Sequence, residues 1–165
     1  MSREAIIVID MQEGFRYPES EVIIPNIIKR LENFSGFKIF TQFFDRKGSL
    51  FELQLKWPKF QDQDNQKIMN EFDKIEKKVF RHSSYTAITQ ELINFSRKEK
   101  IEKVFLLGIY TDVSVLKSAM DLFDSGFEVF VVKDCCNSIH QNQKNNLHES
   151  GLESISHIIG SDHII

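Results

Sequence analysis

The chain has 165 residues, which is enough for one domain with a substantial buried core. Hydrophobic residues make up 41% of the sequence and charged residues 27%, as is typical of a globular protein. The net charge of -3 argues against a basic surface for nucleic acid. No apolar run approaches the roughly 18 residues that a membrane span needs. We therefore expect a single domain over residues 1–165, with neither a nucleic-acid nor a membrane partner.

The amino terminus and the cysteines bear on the cellular compartment. The opening "MSREAIIVID" lacks the small-residue cleavage site and the sustained apolar run of a signal peptide. The two cysteines, Cys135 and Cys136, are sequence neighbours that cannot readily form a relaxed disulfide with each other. Two cysteines are also too few for a zinc framework. These features predict a cytoplasmic protein.

Short apolar runs alternate with longer helical patterns along the chain. Runs rich in Ile, Val and Phe without strict alternation are typical of strands buried on both faces of a sheet. The predicted strands are Ala5–Asp10, Phe37–Phe44, Lys78–Phe80, Lys103–Gly108 and Phe127–Asp134. The predicted helices are Pro25–Phe34, Gln63–Phe72, Thr86–Lys98, Asp112–Asp124 and Gln141–Glu153. This alternation predicts a three-layer α-β-α, Rossmann-like α/β fold with a mostly parallel sheet.

Two polar residues follow predicted strands. Asp10 ends the first strand, and Ser114 lies in the first turn of the helix after the Lys103–Gly108 strand. In open α/β sheets, ligand sites form beyond the carboxyl ends of the strands, near a switch in strand order. Asp10 and Ser114 are therefore joint candidates for a site, although the fold alone does not indicate a reaction.

Five segments resemble, in the same order, segments of the isochorismatase-like (cysteine hydrolase) family. They are "IIVIDMQEGF", "FTQFFDRKGSLFELQLKW", "HSSYTAITQEL", "GIYTDVSVLKSAMDLFDSGFEVFVVKDCCNS" and "HIIG", and their spacing and order match over nearly the whole chain. The resemblance implies an isochorismatase-like fold, a hydrolase acting on a small molecule, and self-association into a homo-oligomer. In that family an Asp, a Lys and a nucleophilic Cys form the catalytic triad.

Two of the three triad positions are substituted in this chain. The family's Asp matches Asp10 and its Cys matches Ser114. An ungapped alignment puts His82 on the family's Lys, whereas a one-residue slip would put Arg81 there. The chain therefore presents Asp10, His82 and Ser114 where the family presents Asp, Lys and Cys.

These three residue types are those of a serine-hydrolase triad. A serine hydroxyl is too weak an acid to ionise at a helix N-terminus alone, so it needs a base within hydrogen-bond reach. A neutral imidazole can accept that proton, and a carboxylate can orient the ring and stabilise the imidazolium. The sequence favours a hydrolase of a small amide or ester in which Ser114 attacks, His82 carries the proton and Asp10 orients the ring.

Other roles for the same residues stay open. Serine near a helix start commonly serves as a cap or in packing. A chain with two altered triad positions is also compatible with a catalytically inactive homologue that acts as a ligand-binding or assembly module. An isochorismatase-like reaction, in which the Asp protonates a vinyl ether, needs no nucleophile. The resemblance implies, however, that enzymes with this reaction retain the Lys, which this chain has lost. Cys136 as a displaced nucleophile is a weaker alternative, because "DCCNS" matches a structural strand end in the family.

The resemblance also implies the surroundings of the triad. Main-chain amides near Tyr110 and Ser114 would bind the oxyanion, next to a cis peptide between Ile109 and Tyr110. The substrate-binding residues that it implies are Gln12, Phe15, Phe51, Trp57, Ile109 and Tyr110. Core packing or subunit contacts are the alternative role of the aromatic ones.

No cofactor and no metal are expected. Some amidase branches of the family carry an Asp-x-His-x-His metal motif after the second strand, whereas the corresponding "FDRKGS" has no histidine. His140, His148, His157 and His163 lack the convergent spacing of a zinc motif.

Overall fold

The computed structural model describes residues 3–139 and 146–165, which fold around a five-stranded sheet. Its strands are β1 (Arg3–Ile9), β2 (Phe37–Phe43), β3 (Lys78–His82), β4 (Ile101–Ile109) and β5 (Glu128–Asn137). All pairings are parallel, and the spatial order is β3-β2-β1-β4-β5. The predicted α/β class with a parallel sheet is confirmed, and each predicted strand overlaps an observed one.

Helices and short turns connect the strands. The α-helices are α1 (Pro18–Glu21), α2 (Ile24–Glu32), α3 (Leu50–Leu53), α4 (Gln63–Gln66), α5 (Gln90–Lys98), α6 (Leu116–Asp124) and α7 (Leu147–Ile159). A π-helical turn, Thr111–Val115, precedes α6. Short 3₁₀ turns cover Glu13–Phe15, Lys59–Gln61, Asn70–Phe72 and Ser161–His163. None of the helices in the described residues is long and apolar enough to cross a membrane.

The predicted helix Gln63–Phe72 is wrong. Helix α4 ends at Gln66, and the next residues pair with the segment that follows β1. The Glu13 N–H donates to the Lys67 carbonyl over 2.8 Å, and the Met69 N–H donates to the Met11 carbonyl over 3.0 Å. Tertiary hydrogen bonds have therefore replaced the helix that local sequence favours.

The last predicted helix, Gln141–Glu153, is displaced along the chain. Residues 141–145 lie outside the described residues. Helix α7 begins at Leu147, because the Asn146 side chain caps it by accepting from the Glu149 N–H, and it continues to Ile159. Helix α5 likewise begins later than predicted, after its cap Thr89.

Both faces of the sheet are buried, as expected for parallel strands. Successive residues of β1 point to opposite faces. Ile7 and Ile9 pack in the layer that contains α5, α6 and α7, whereas Ile6 and Val8 pack in the layer that contains α2. Each such side chain contributes about 1.5–3 kcal/mol relative to an exposed one. Strand β1 is therefore anchored from both sides, and the position of its carboxyl end is fixed.

Strand β1 also lies at the switch in strand order. The chain proceeds from β1 to β2 and β3 on one side, and β4 and β5 lie on the other. The ends of β1 and β4 approach closely, since Ile9 pairs with Gly108 and a Cβ at Gly108 would lie 2.2 Å from the Ile9 carbonyl oxygen. The crevice beyond these two strand ends is where a site is expected in such a fold.

Candidate functional site

Asp10 is the first residue after β1, and 3% of its side chain is exposed. Its φ of 53° lies in the left-handed region, which Asp adopts more readily than most residues. Thr41 of the neighbouring β2 donates from its hydroxyl to Asp10 Oδ1 over 2.7 Å and accepts from the Asp10 N–H over 3.2 Å. The pairing of β1 with β2 therefore fixes the carboxylate in place.

His82 is the last residue of β3, and its ring is buried beside Asp10. His82 Nε2 lies 2.8 Å from Asp10 Oδ1, and His82 Nδ1 lies 3.0 Å from the Ser84 carbonyl oxygen. Because that carbonyl can only accept, Nδ1 carries a proton. A second proton lies in the hydrogen bond between His82 Nε2 and Asp10 Oδ1.

The charge of His82 is set by its neighbours. Burial disfavours the charged ring, but the Asp10 carboxylate and the carbonyls of Ser84 and Thr86 outweigh burial and raise the pKa of His82. The charged form of the His82 ring is therefore favoured relative to a free imidazole.

Arg81, the other candidate for the lysine position, lies elsewhere. Successive side chains of a strand alternate between its faces, so Arg81 points away from His82. Its guanidinium donates to Gln66 Oε1 over 2.7 Å and lies 4.5 Å from the centre of the Phe44 ring. The structure thus puts His82, and not Arg81, beside Asp10.

Ser114 lies in the π-helical turn before α6 and faces a cavity. The Val115 N–H closes this turn by donating to the Tyr110 carbonyl over 2.9 Å, and the Ile109–Tyr110 peptide is cis, as the resemblance implied. Within residues 3–139 and 146–165, Ser114 Oγ has no hydrogen-bond partner and is not fully enclosed. The hydroxyl is therefore available to a bound molecule.

The turn that carries Ser114 is held from two sides. The Thr111 hydroxyl lies 2.8 Å from His148 Nδ1 at the start of α7. The Asp112 N–H donates to Ser138 Oγ over 3.3 Å, after the end of β5. These contacts couple the position of Ser114 to α7 and β5.

The predicted hydrogen-bond chain from Ser114 through His82 to Asp10 is wrong. Both ring nitrogens of His82 are engaged, one by Asp10 and the other by the Ser84 carbonyl. Neither can therefore accept the Ser114 proton in this arrangement. The physical reason is the loop after β3, which returns a carbonyl to the buried ring and satisfies its second nitrogen.

A cavity of about 290 Å³ lies beside Ser114. Six aromatic residues form most of its wall: Phe15, Phe43, Phe51, Trp57, Tyr85 and Tyr110. The Phe43 ring contacts the His82 ring edge-on, with centres 5.6 Å apart, so Phe43 connects the cavity wall to the Asp10–His82 pair. None of the described lining residues is charged, and burial raises the pKa of Tyr110, which keeps its phenol neutral.

The predicted pocket residues divide into two groups. The structure places Phe15, Phe51, Trp57 and Tyr110 around the cavity, as the resemblance implied.

Gln12 and Ile109 do not line this cavity, and their role in substrate binding stays a prediction. The buried Gln12 amide donates to the carbonyls of Phe43 and Gln66 and accepts from the Phe43 N–H, which ties the segment after β1 to β2 and α4. Ile109 is fully buried in the layer that contains α2.

Sequence reasoning missed Thr41, Phe43 and Ser84. Thr41 had a detectable signal, because it is a lone hydroxyl in the buried run of β2. The Ser84 contribution is a backbone carbonyl, so no side-chain pattern points to it.

Cys136 does not take part in the site. It is buried in the core, where its thiol lies 3.7 Å from the Leu106 carbonyl oxygen. Burial raises its pKa, so the thiol stays protonated and unreactive. The structure therefore contradicts the alternative of a displaced nucleophile.

Asp45 lies in the segment where some family branches carry their metal motif. Its Oδ1 accepts from the Arg46 N–H over 2.8 Å, and its Oδ2 is enclosed without a partner among the described residues. The described part of the chain brings no group of three or more His, Cys, Asp or Glu side chains together. The residues around Asp45 therefore do not fit a zinc site.

Comparison with known proteins gives a family and a fold. The isochorismatase domain family matches residues 4–161. Isochorismatase family protein 1A of Dictyostelium discoideum is 28% identical over 69 residues, which are 41% of this chain and 34% of that protein. Isochorismatase family protein 2A of the same organism is 33% identical over 63 residues, 37% of this chain and 32% of that protein. The chain thus matches about a third of the length of these relatives.

Solved structures share the fold over nearly the whole chain. An isochorismatase-like hydrolase from Alkaliphilus metalliredigens has a TM-score of 0.81 at 22% identity and covers 95% of this chain and 92% of its own. A pyrazinamidase of Pyrococcus horikoshii, in complex with zinc, has a TM-score of 0.80 at 20% identity, and the match covers 98% of this chain and 97% of the pyrazinamidase. N-carbamoylsarcosine amidase from Thermoplasma acidophilum has a TM-score of 0.80 at 15% identity and covers 96% and 93%.

Proposed function

The chain belongs to the isochorismatase family, and from that premise we propose that it hydrolyses a small, uncharged amide or ester. The observation that carries the proposal is the buried Asp10–His82 hydrogen bond of 2.8 Å, which Phe43 connects to the cavity that Ser114 lines. Buried titratable groups that pair with each other near a cleft are common at catalytic sites.

Asp10 is the proton acceptor in this proposal. Its Oδ1 is held by Thr41 and His82, whereas its Oδ2 has no partner in the described residues and is not fully enclosed. Oδ2 takes the proton from Ser114 Oγ as that oxygen attacks the carbonyl carbon of the substrate. His82 Nε2, 2.8 Å from Oδ1, holds the carboxylate in position on the side away from Oδ2.

The reaction proceeds through an acyl-enzyme. Attack forms the bond between Ser114 Oγ and carbon, and the N–H groups near Tyr110 and Ser114 stabilise the oxyanion. The carbon–nitrogen or carbon–oxygen bond then breaks, and Asp10 returns its proton to the leaving amine or alcohol. A water molecule then attacks the acyl carbon while Asp10 takes its proton. The bond between that carbon and Ser114 Oγ breaks, Asp10 gives the proton to Oγ, and the acid leaves.

A panel of small amides and esters tests this function. Pyrazinamide, nicotinamide and N-carbamoylsarcosine follow the names of the structural neighbours, and benzamide and methyl benzoate suit the aromatic wall. We expect turnover of at least one compound, with kcat falling about 100-fold or more in Ser114→Ala and Asp10→Asn. Turnover that is unchanged in both variants, or no turnover of any compound, contradicts the proposal.

A ligand-binding module without catalysis is the second candidate. The observation that favours it is the engagement of both His82 nitrogens, which leaves Ser114 without an imidazole base. This candidate predicts that panel compounds bind, as seen by quenching of Trp57 fluorescence, but are recovered intact. Ser114-dependent release of ammonia or methanol contradicts it.

A further inference from the structure

A second cavity, of about 500 Å³, adjoins the one beside Ser114. The two cavities share four lining residues: Phe51, Leu55, Ser84 and Tyr85. Ser114 lines only the first, which we term the inner cavity; the second is the outer cavity. The two cavities are therefore neighbours, separated at most by these shared side chains, and Ser114 lies in the inner one only.

The outer cavity is uncharged. Its remaining wall includes Leu50 and Gln54 from the α3 region, and none of its described lining residues is charged. Glu52 is the acidic residue of α3, and its carboxylate is engaged elsewhere: Oε2 accepts from the Gly48 N–H over 2.6 Å and from Gln61 Nε2 over 3.0 Å. A ligand segment in this cavity meets hydroxyl, amide and apolar groups, and no fixed charge.

Apolar side chains are exposed at the rim of the outer cavity. Leu50 is 70% exposed and Leu55 51%, and Tyr85, which is shared by both cavities, is 49% exposed. Leu53, next to them on α3, is 56% exposed. Exposed apolar side chains that cluster at a cavity, and are not scattered, indicate that the surface is covered by something else.

We propose that the two cavities form one bipartite site for an elongated, uncharged substrate. An aromatic ring occupies the inner cavity, and an apolar alkyl or aryl arm on the far side of the scissile bond occupies the outer cavity. The proposal rests on the proposed function, because the scissile bond must lie beside Ser114. The outer cavity supplies binding and selectivity only, since its wall includes neither Ser114, Asp10 nor His82.

The single tryptophan of the chain makes this proposal measurable by binding alone. Trp57 lines the inner cavity and stacks on Phe15 and Phe43, so a ring bound there changes its fluorescence. The probes are benzamide, N-butylbenzamide and N-hexylbenzamide. Each buried methylene favours binding, so we expect the Kd to fall about tenfold or more from benzamide to N-hexylbenzamide.

Leu50→Glu tests the outer cavity without touching the inner one. The exposed rim tolerates this change, and it places a carboxylate beside the alkyl arm. We expect Leu50→Glu to abolish most of the gain in affinity that a longer alkyl arm gives, and to leave the Kd of benzamide unchanged. Val22→Glu is the matched control, because Val22 is 65% exposed, lies outside both cavities and should leave the whole series unchanged.

Three results would overturn the proposal. The first is a Kd that does not depend on arm length, and the second is an equal loss of benzamide and N-hexylbenzamide binding in Leu50→Glu. The third is a wild-type dimer that Leu50→Glu dissociates without changing the benzamide series, which would make the rim an interface between copies. Failure of the proposed function looks different: no compound is turned over, yet the arm-length dependence persists in both the wild type and Ser114→Ala.

Discussion

His82 differs from the lysine that the family resemblance expects at its position. A lysine ammonium keeps its charge at neutral pH in most surroundings, whereas an imidazole titrates close to neutrality. Burial lowers the pKa of His82, but Asp10 and the carbonyls of Ser84 and Thr86 outweigh it, so the pKa of the ring is raised above its usual 6.5. The charge of this site therefore depends on pH more than that of a lysine-containing relative.

The stability of the protein should report this charge. The pKa of His82 in the folded state is raised above its usual 6.5, so protonation stabilises the fold. That contribution is complete below the unfolded pKa and is lost as pH rises through the folded pKa. We expect the difference in unfolding free energy between wild type and His82→Gln to shrink as the pH rises above 6.5 and through the raised pKa of His82. Urea unfolding across this range measures it. A difference that is constant or grows with pH would show that the ring is neutral.

The environment of Ser114 is testable with a thiol at the same position. A Ser114→Cys thiol would lie in the turn that leads into α6, and a helix N-terminus favours the thiolate. We expect iodoacetamide to alkylate this new thiol rapidly at neutral pH.

Alkylation of the two natural cysteines should be slow, because both are buried and burial raises the pKa of Cys135 to about 12. The control is the wild type, which should react at neither cysteine until it is unfolded. Alkylation of Ser114→Cys no faster than that of free glutathione would exclude a polarising site.

Which residues form the site was predictable to different degrees. Asp10 and Ser114 follow buried strands, so the fold rule alone brings them to one crevice. His82 was found only through the aligned motif, because nothing in "FRHSS" distinguishes it from Arg81. Its hydrogen bonds were not predictable, since one partner is a backbone carbonyl whose direction depends on the loop after β3.

Helix α7 is the element that most directly restrains the turn carrying Ser114. Gly151 of α7 packs so closely on this turn that a Cβ there would lie 2.7 Å from the Asp112 nitrogen and 2.9 Å from the Thr111 carbonyl carbon. Both are backbone atoms, so the clash is relieved only by moving the helix or the turn. The position of Ser114 thus depends on a glycine well separated from it in sequence.

Gly151→Ala should therefore impair function beyond its effect on stability. Overpacking of this kind costs about 1–3 kcal/mol, and the displaced turn carries Ser114. We expect turnover or Trp57-detected binding to fall about tenfold or more in protein that is still folded, as checked by circular dichroism. The matched control is Ser154→Ala on an exposed position of the same helix, which should change neither. If turnover and binding are unchanged in Gly151→Ala, the packing of α7 against the turn does not control the position of Ser114.

Strands and helices whose bounds depend on the local sequence pattern were predictable. Those whose ends depend on tertiary contacts were not. Buried parallel strands read as apolar runs, so β1 and β2 were located to within a few residues. Helix α4 ended early because Lys67 and Met69 bond to the segment after β1, and local propensity does not include those partners. The start of α7 depended on the Asn146 cap, which competes with several other polar residues nearby.

In the molecule as a whole, the residues that stabilise the fold and the residues of the candidate site lie in different places. Two apolar layers bury β1 and β4, and the site lies beyond their carboxyl ends, where loops from β2, β3 and β4 meet. The core can therefore stay constant while the lining of the cavity changes. Solved structures that share this fold are named for different amide substrates, pyrazinamide and N-carbamoylsarcosine, which is consistent with that division.

Self-association is a prediction at this scale. The family resemblance implies a homo-oligomer, and Met120 and Phe123 of α6 are among the exposed apolar side chains. We expect sedimentation velocity to give a mass of at least twice the 19.3 kDa of one chain. A species of one chain at all accessible concentrations would contradict this prediction.

Covalent capture shows whether Ser114 is an activated nucleophile. A fluorophosphonate reacts with a serine only when a nearby group removes its proton, and peptide mass mapping identifies the modified residue. We expect a single adduct on Ser114 in the wild type, formed about 100-fold more slowly in Asp10→Asn. An absence of adduct at high probe concentration, or equal rates in the wild type and Asp10→Asn, would contradict it.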